Sequence, residues 1–218
     1  IAIGNEPNGL NINDGFGSLH PEQLQKKVQE VRADIGIALD GDADRLLICD
    51  EKGNILDGDH LLAMSALSMK RKRILKGGGV VATVMSNLGL ERFLAKQNLQ
   101  LIRTQVGDRY VLEHMLSNGF NLGGEQSGHM LFLDHNTTGD GLVSALKILE
   151  LMAESGRPLS ELDAKMETVP QLLKNVIIEA GSDPLANRTV QRAITAAETK
   201  LKDSGRVLVR KSGPLPDR

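Results

Sequence analysis

Ile35-Gly36-Ile37-Ala38-Leu39-Asp40-Gly41-Asp42-Ala43-Asp44-Arg45-Leu46-Leu47-Ile48-Cys49-Asp50 is the stretch on which the fold turns. It sets carboxylates on alternate residues, hinged at Gly41 and closed by Arg45, between two short apolar runs. Carboxylate oxygens suit a hard cation such as Mg²⁺ or Ca²⁺, and a Mg²⁺ site leaves its remaining positions to water or phosphate. Arg45 would then grip the same phosphate. Asp40, Asp42 and Asp44 also match the first acidic positions of an EF-hand loop, with Glu51 where its bidentate glutamate belongs. Two features reject that helix–loop–helix. Arg45 stands where the loop needs its turn glycine, and the flanks are of strand length, not amphipathic helices. The reading is therefore strand, acidic loop, strand, with a solvated acidic turn as the plain alternative.

Outward from this hairpin, β-type apolar runs alternate with amphipathic helical stretches, the pattern of α/β layers. Upstream, Leu24 and Val28 predict a helix over 21–32. Downstream, Lys52-Gly53-Asn54 turns the chain into a helix over 59–72, with Leu61, Leu62, Ser65, Ala66 and Met69 along one side. A buried strand over 80–85 leads to a helix capped by Ser86 or Asn87, on which Leu90, Phe93 and Leu94 share a face. A strand over 99–103 follows. Val106-Gly107-Asp108-Arg109 then opens a helix carrying Tyr110, Val111, His114 and Met115. Gly139-Asp140-Gly141 opens another, with Leu142, Leu146, Leu149 and Met152 at helical spacing, ending at Gly156 and Pro158. From Pro170 the texture becomes that of a smaller unit: a strand over 175–179, a helix over 184–202 and a strand over 207–210. Boundaries are expected near residues 57 and 168.

The 218 residues carry 26 Lys and Arg against 28 Asp and Glu, a net charge of −2. This balance, without a basic stripe or interleaved aromatics, supports neither a nucleic-acid nor an anionic-membrane partner. The partner expected is small. A single cysteine, Cys49, excludes an intrachain disulfide framework and fits a reducing compartment, so the cytoplasm is expected. No signal-peptide pattern or bilayer-length apolar stretch occurs. The start at Ile1, without methionine, reads as a strand already under way and suggests a piece of a longer protein. Nothing in the sequence sets the oligomeric state.

Two further constellations carry chemistry. Gly123-Gly124-Glu125-Gln126-Ser127-Gly128-His129 lies between the short run 120–122 and the apolar run 130–133. Glycine lets such a loop approach a ligand closely. Glu125 can accept hydroxyl hydrogen bonds and Ser127 can donate or accept, a chemistry suited to vicinal sugar hydroxyls. His129 is a candidate proton carrier near neutral pH; the alternative is a hairpin with an incidentally polar tip. His20, His60, His114 and His135 show no metal-ligand spacing. Arg210-Lys211-Ser212-Gly213 offers cations, a hydroxyl and flexible backbone N–H groups, the ingredients of a phosphate cradle.

In this order the three constellations resemble the α-D-phosphohexomutase family, in the form that acts on glucosamine phosphates. Asp40 to Arg45 resembles its magnesium loop, Gly124 to His129 its sugar-recognition loop, and Arg210 to Gly213 the start of its phosphate-binding loop. Glu6-Pro7-Asn8-Gly9, Met85-Ser86-Asn87-Leu88-Gly89, Val106 to Val111 and Thr137-Thr138-Gly139-Asp140-Gly141 are similar as well. The resemblance implies consecutive α/β layered domains followed by a truncated α+β domain: 1–57 the end of a second domain, 58–168 a third, 169–218 part of a fourth. It implies interconversion of glucosamine 6-phosphate and glucosamine 1-phosphate through a phosphoserine and a bisphosphate intermediate, for UDP-N-acetylglucosamine synthesis. On that reading Asp40, Asp42 and Asp44 hold Mg²⁺, Arg45 steadies phosphate, and His129 lies close to the reacting hydroxyl. Glu125 and Ser127 hold the sugar; Arg210, Ser212 and Gly213 grip the phosphate that is not transferred.

The chain also departs from the family. The nucleophilic serine sits in a Thr-Ala-Ser-His-Asn-Pro type loop that does not occur here, so the chain is expected not to turn over alone; Ser18 is read as a turn residue. The family continues Ser-Gly-Thr-Glu-Pro where this chain reads Ser212-Gly213-Pro214-Leu215-Pro216. Gln105 stands where related hexose mutases often carry lysine. A phosphomannomutase or phosphoglucomutase, and a noncatalytic module binding Mg²⁺ or a sugar phosphate, are the alternatives.

Overall fold

The computed structural model describes residues 1–163, 166–179 and 182–211. It separates into two compact units, residues 1–169 and 170–218. The first opens with α1 (Glu22–Val31), which buries Leu24 and Val28. An antiparallel sheet follows, ordered β1 (Ile35–Leu39), β2 (Leu46–Asp50), β3 (Ile55–Leu56). Ile35 pairs with Asp50 and Leu39 with Leu46, so the hairpin closes directly on the acidic loop. Both strands match the expectation because an apolar run held by a turn at each end has a partner next to it in sequence. The second turn is clamped by Asp50, whose Oδ1 accepts from Lys52 N and Asn54 N at 2.9 and 2.8 Å.

A second sheet, ordered β5 (Gln100–Thr104), β4 (Gly79–Thr83), β6 (Leu122–Gly124), β7 (Met130–Phe132), has parallel pairs around β4 and an antiparallel edge at β7. Every residue of β4 is buried, as a parallel strand covered on both faces requires. The strand ends at Thr83, two residues short of the expected Met85, where Ser86 N turns back to Thr83 O. Helices α2 (Gly58–Arg71), α3 (Leu88–Lys96), α4 (Asp108–Asn118), α5 (Gly141–Ser155) and the short α6 (Leu159–Asp163) complete this unit.

One core cluster joins Leu46, Ile48 and Leu56 from the first sheet to Leu61, Leu62, Val80, Leu90 and Ile148. Helix α2 is its axis. Gly58, Asp59 and Leu61 through Ala66 are all buried, so the helix is enclosed nearly all round, not on the single side its spacing predicted. Helix α5 forms where expected, between Asp140 and Gly156, but the spaced leucines do not all form its inward side. Its inward residues are Ser144, Ala145 and Ile148, while Leu142 and Leu146 are exposed. Both stripes have helical spacing, and the one carrying smaller residues is the one that fits against α2.

In the second unit a 3-10 turn (Pro184–Ala186) precedes α7 (Arg188–Leu201), capped by Asn187 Oδ1 accepting from Thr189 N. The strands expected over 175–179 and 207–210 do not form. A strand needs a neighbour for its N–H and C=O groups, and neither stretch has a ladder partner among the described residues. Val176, Ile177, Leu208 and Val209 stand exposed in consequence. Among the described residues no helix is long and apolar enough to cross a membrane.

Candidate functional site

The acidic loop is a tight turn. Asp40 Oδ1 accepts from Arg45 N at 3.1 Å, Ala43 N donates back to Asp40 O at 3.1 Å, and Ala43 adopts φ +60°. Asp40, Asp42 and Asp44 each present a carboxylate oxygen within 4.8 Å of the others. The guanidinium of Arg45 brings Nε to 3.7 Å from Asp40 Oδ2 and 3.8 Å from Asp44 Oδ1, too far to hydrogen-bond either. Asp44 Oδ1 is buried without a hydrogen-bond donor. Burial raises the Asp44 carboxyl, and the Asp40 and Asp42 carboxylates push it the same way against the opposing pull of His129. An oxygen-rich set with an orphaned buried acceptor and mutual repulsion fits a hard divalent cation.

The loop of Glu125 to His129 is stitched to this one. Leu46 N donates to Gly128 O at 3.0 Å, and Arg45 and His129 form an isolated antiparallel bridge. Gly128 has φ +94°, and a Cβ there would collide with Leu46 O, so the strand and the loop touch backbone to backbone. His129 is buried, with Nδ1 3.1 Å from Asp44 Oδ2 and Nε2 3.9 Å from Asp108 Oδ2 at the start of α4. A Cβ at Gly139 would strike the imidazole, so that backbone walls the ring. Gly141 N donates to Ala43 O at 2.9 Å, placing the start of α5 behind the acidic loop.

Glu125 is half-buried and its Oε1 accepts from Gly107 N at 3.1 Å; Ser127 is exposed. Thus Asp40, Asp42, Asp44, Arg45, Glu125, Ser127 and His129 come together in the first unit. An open cleft lined by Asn5, Glu6, Asn11, Asn13 and Lys26 borders the start of the acidic loop at Asp40 and Gly41. Arg210 belongs to the second unit, is exposed, and lies beside Lys211, which pairs with Asp183 at 3.1 Å. Ser212 and Gly213 lie outside the described residues.

Sequence reasoning passed over the supports of the site. Asp57 caps α2, with Oδ1 accepting from Asp59 N and His60 N, and its Oδ2 accepts from Gln126 Nε2 at 3.1 Å. Burial alone would raise the Asp57 carboxyl, but hydrogen bonds from His60 and Gln126 outweigh it and hold the group below the ordinary range. An aspartate immediately before a helical pattern is a legible cap signal; its second task is visible only in three dimensions.

Residues 57–169 match the family model for phosphoglucomutase/phosphomannomutase, alpha/beta/alpha domain III. A phosphoglucosamine mutase of Magnetococcus marinus is 66% identical over 216 residues, which are 99% of this chain and 45% of that protein. The chain spans about half the length of the curated relatives it matches. Among solved structures, a phosphoglucomutase/phosphomannomutase family protein of Burkholderia thailandensis aligns with TM-score 0.62 and 28% identity, over 70% of this chain and 34% of that one. An N-acetylphosphoglucosamine mutase of Aspergillus fumigatus, in complex with GlcNAc-6P and magnesium, shares the fold at TM-score 0.56 and 21% identity, over 72% and 41%. With more than half its residues inside the family model and the α/β layers that the model describes, the chain belongs to the phosphoglucomutase/phosphomannomutase family.

Proposed function

We propose that these residues are the central and C-terminal part of a phosphoglucosamine mutase, which interconverts glucosamine 6-phosphate and glucosamine 1-phosphate. On this reading 1–57 ends a second domain, 58–168 is the third and 169–218 belongs to a fourth. The supporting observation is the junction of the acidic loop with the Glu125–His129 loop, through Leu46 N to Gly128 O and His129 Nδ1 to Asp44 Oδ2. It brings the acidic loop and the glycine-rich loop within one side chain's reach, which supports a cation and a sugar hydroxyl being held side by side. The high identity to phosphoglucosamine mutase relatives favours the amino sugar over mannose or glucose.

Asp40, Asp42 and Asp44 would hold Mg²⁺, which when bound neutralises charge on a phosphoryl group. Arg45 supplies a guanidinium beside that position, with its Nε not hydrogen-bonded to either aspartate and so open to a phosphate oxygen. Glu125 accepts sugar hydroxyls, its carboxylate aimed by the Gly107 amide, and exposed Ser127 donates or accepts next to it. His129, its Nδ1 3.1 Å from Asp44 Oδ2, would be the proton carrier beside the sugar. Arg210, Ser212 and Gly213 would grip the phosphate that stays. The nucleophilic serine belongs to another part of the protein, and a single free thiol, Cys49, suits a cytoplasmic setting.

The test is turnover of glucosamine 6-phosphate with Mg²⁺ and a bisphosphate activator, by this chain and by the full-length protein. Only the full-length protein should form glucosamine 1-phosphate. A clear preference for mannose or glucose phosphates would defeat the amino-sugar reading. Calorimetric titration of Mg²⁺ into the chain should give binding that Asp42→Asn weakens at least about tenfold, by removing one carboxylate oxygen from the set. Equal binding by that variant would remove Asp42 from the site.

A further inference from the structure

Gln126 sits between the two residues assigned to the sugar, yet its side chain reaches back to the start of α2. Its Nε2 donates to Asp57 Oδ2 at 3.1 Å, and its carbonyl accepts from Gly58 N at 3.0 Å. Gly58 is pressed against the loop: a Cβ there would collide with the Glu125 carbonyl and crowd Gly128 N at 2.9 Å. Asp57 is itself fixed. Its Oδ1 takes the first free amides of the helix and pairs with His60 Nδ1 at 2.7 Å, while His60 Nε2 lies 3.1 Å from Thr168 Oγ1. The carboxylate is therefore pinned by a helix end and an imidazole, leaving Oδ2 as a stationary acceptor for the loop.

We infer that Gln126 and Asp57 are positioning residues of the sugar loop, their hydrogen bond setting where Glu125 and Ser127 present oxygens to a hexosamine phosphate. Gln126 acts through Asp57 and not by touching the sugar. The inference rests on the hexosamine phosphate reading above. It follows from connectivity: the loop backbone is held by Glu125 N to His129 O, Gly128 N to Glu125 O and Gly58 N to Gln126 O, and the Gln126 side chain adds the tie from this turn to Asp57, so replacing that tie by repulsion shifts the turn that carries both Glu125 and Ser127. Were Asp57 only a helix cap, Gln126 would be dispensable, because the cap uses Oδ1 alone.

A double-mutant cycle in the full-length protein, reading KM and kcat for glucosamine 6-phosphate, separates these roles. Gln126→Glu sets a second carboxylate against Asp57, and KM should rise about tenfold while kcat changes less than about threefold. Asp57→Asn keeps a good cap but replaces the charged acceptor by a neutral amide that a rotated Gln126 amide can still bond, so KM should rise less than for Gln126→Glu. Combining the two restores the bond in the reverse sense, the new amide donating to the new carboxylate, and KM should return to within about threefold of the parent. A KM unmoved by Gln126→Glu, or a double variant no better than that single one, overturns the inference. If Gln126→Glu does not fold, Gln126→Met removes the donor without adding charge; a severalfold rise in KM supports the inference and an unchanged KM overturns it. Should the parent turn over glucose or mannose phosphates instead, the functional reading fails, and the same cycle read with that sugar still decides the role of the pair.

Discussion

Asp59 is fully buried two residues past the cap of α2, its Oδ2 accepting from Asn87 N at 2.7 Å. Burial pushes its carboxyl up to about 6; the Asn87 amide pulls it down, and the neighbouring Asp57 carboxylate pushes it further up. The native value thus lies above the unfolded value of about 3.9. The native state then holds the proton more tightly, so the group is neutral and harmless below about pH 4. As pH rises from about 4 to 6 the unfolded chain ionises first and stability falls, levelling off above the native value. Asp59→Asn keeps an acceptor for Asn87 and removes the ionisation. The unfolding free energy of the parent relative to this variant should therefore drop by roughly 2–3 kcal/mol between pH 4 and pH 7. Urea unfolding of both at several pH values measures it, and a pH-independent difference would mean that the carboxyl titrates normally. Nothing in the sequence marks Asp59 as unusual, since an acidic residue in a first helical turn is ordinary; its burial comes from the enclosure of α2 on all sides.

At the scale of elements, the hairpin of β1 and β2 and the loop of Glu125 to His129 form one working piece through a backbone contact. Gly128 is where that contact is made, at φ +94° with Leu46 O in the space a Cβ would fill. Gly128→Ala combines backbone strain with a steric clash in a buried segment, and should destabilise the protein by about 3 kcal/mol or more. It should also weaken Mg²⁺ binding, because His129 would lose its place beside Asp44. Denaturant unfolding and the Mg²⁺ titration check both, and a variant within about 0.5 kcal/mol of the parent would show that the strands part freely there. The same junction shows how far the sequence could be read. The acidic loop was legible because Asp40, Asp42 and Asp44 alternate within one short stretch, and its flanking strands pair with each other. The glycine-rich loop was legible as a polar turn. Their union was not, because the Leu46 to Gly128 bond joins distant positions and no periodicity encodes it. In α5 the helix and its end at Gly156 were legible, but not which of two helically spaced stripes turns inward: Ala145 and Ile148 are buried, while Leu142 and Leu146 stay exposed and Met152 alone of that stripe packs against the core.

Across the whole molecule, burial is distributed very unequally. The first unit encloses β4 and most of α2, whereas α7 has no buried residue along its 14 positions. Local periodicity revealed that helix, with Val190, Ile194, Ala197 and Leu201 on one face, because helical hydrogen bonds need nothing beyond the segment itself. The strands over 175–179 and 207–210 could not be judged in this way, since a strand exists only with a neighbour. A helix of this length without packing is marginal in water, so its stability must lie far below that of the first unit. Native-state hydrogen exchange of the chain should therefore show two classes. Amides of β4 and the middle of α2 should exchange only through global unfolding, while those of α7 should exchange within about tenfold of unstructured rates. Denaturant below the unfolding midpoint should leave the first class protected and abolish what little protection the second has. Protection of α7 equal to that of β4 would contradict this, and would require apolar burial for Val190 and Ile194 that the described residues do not provide.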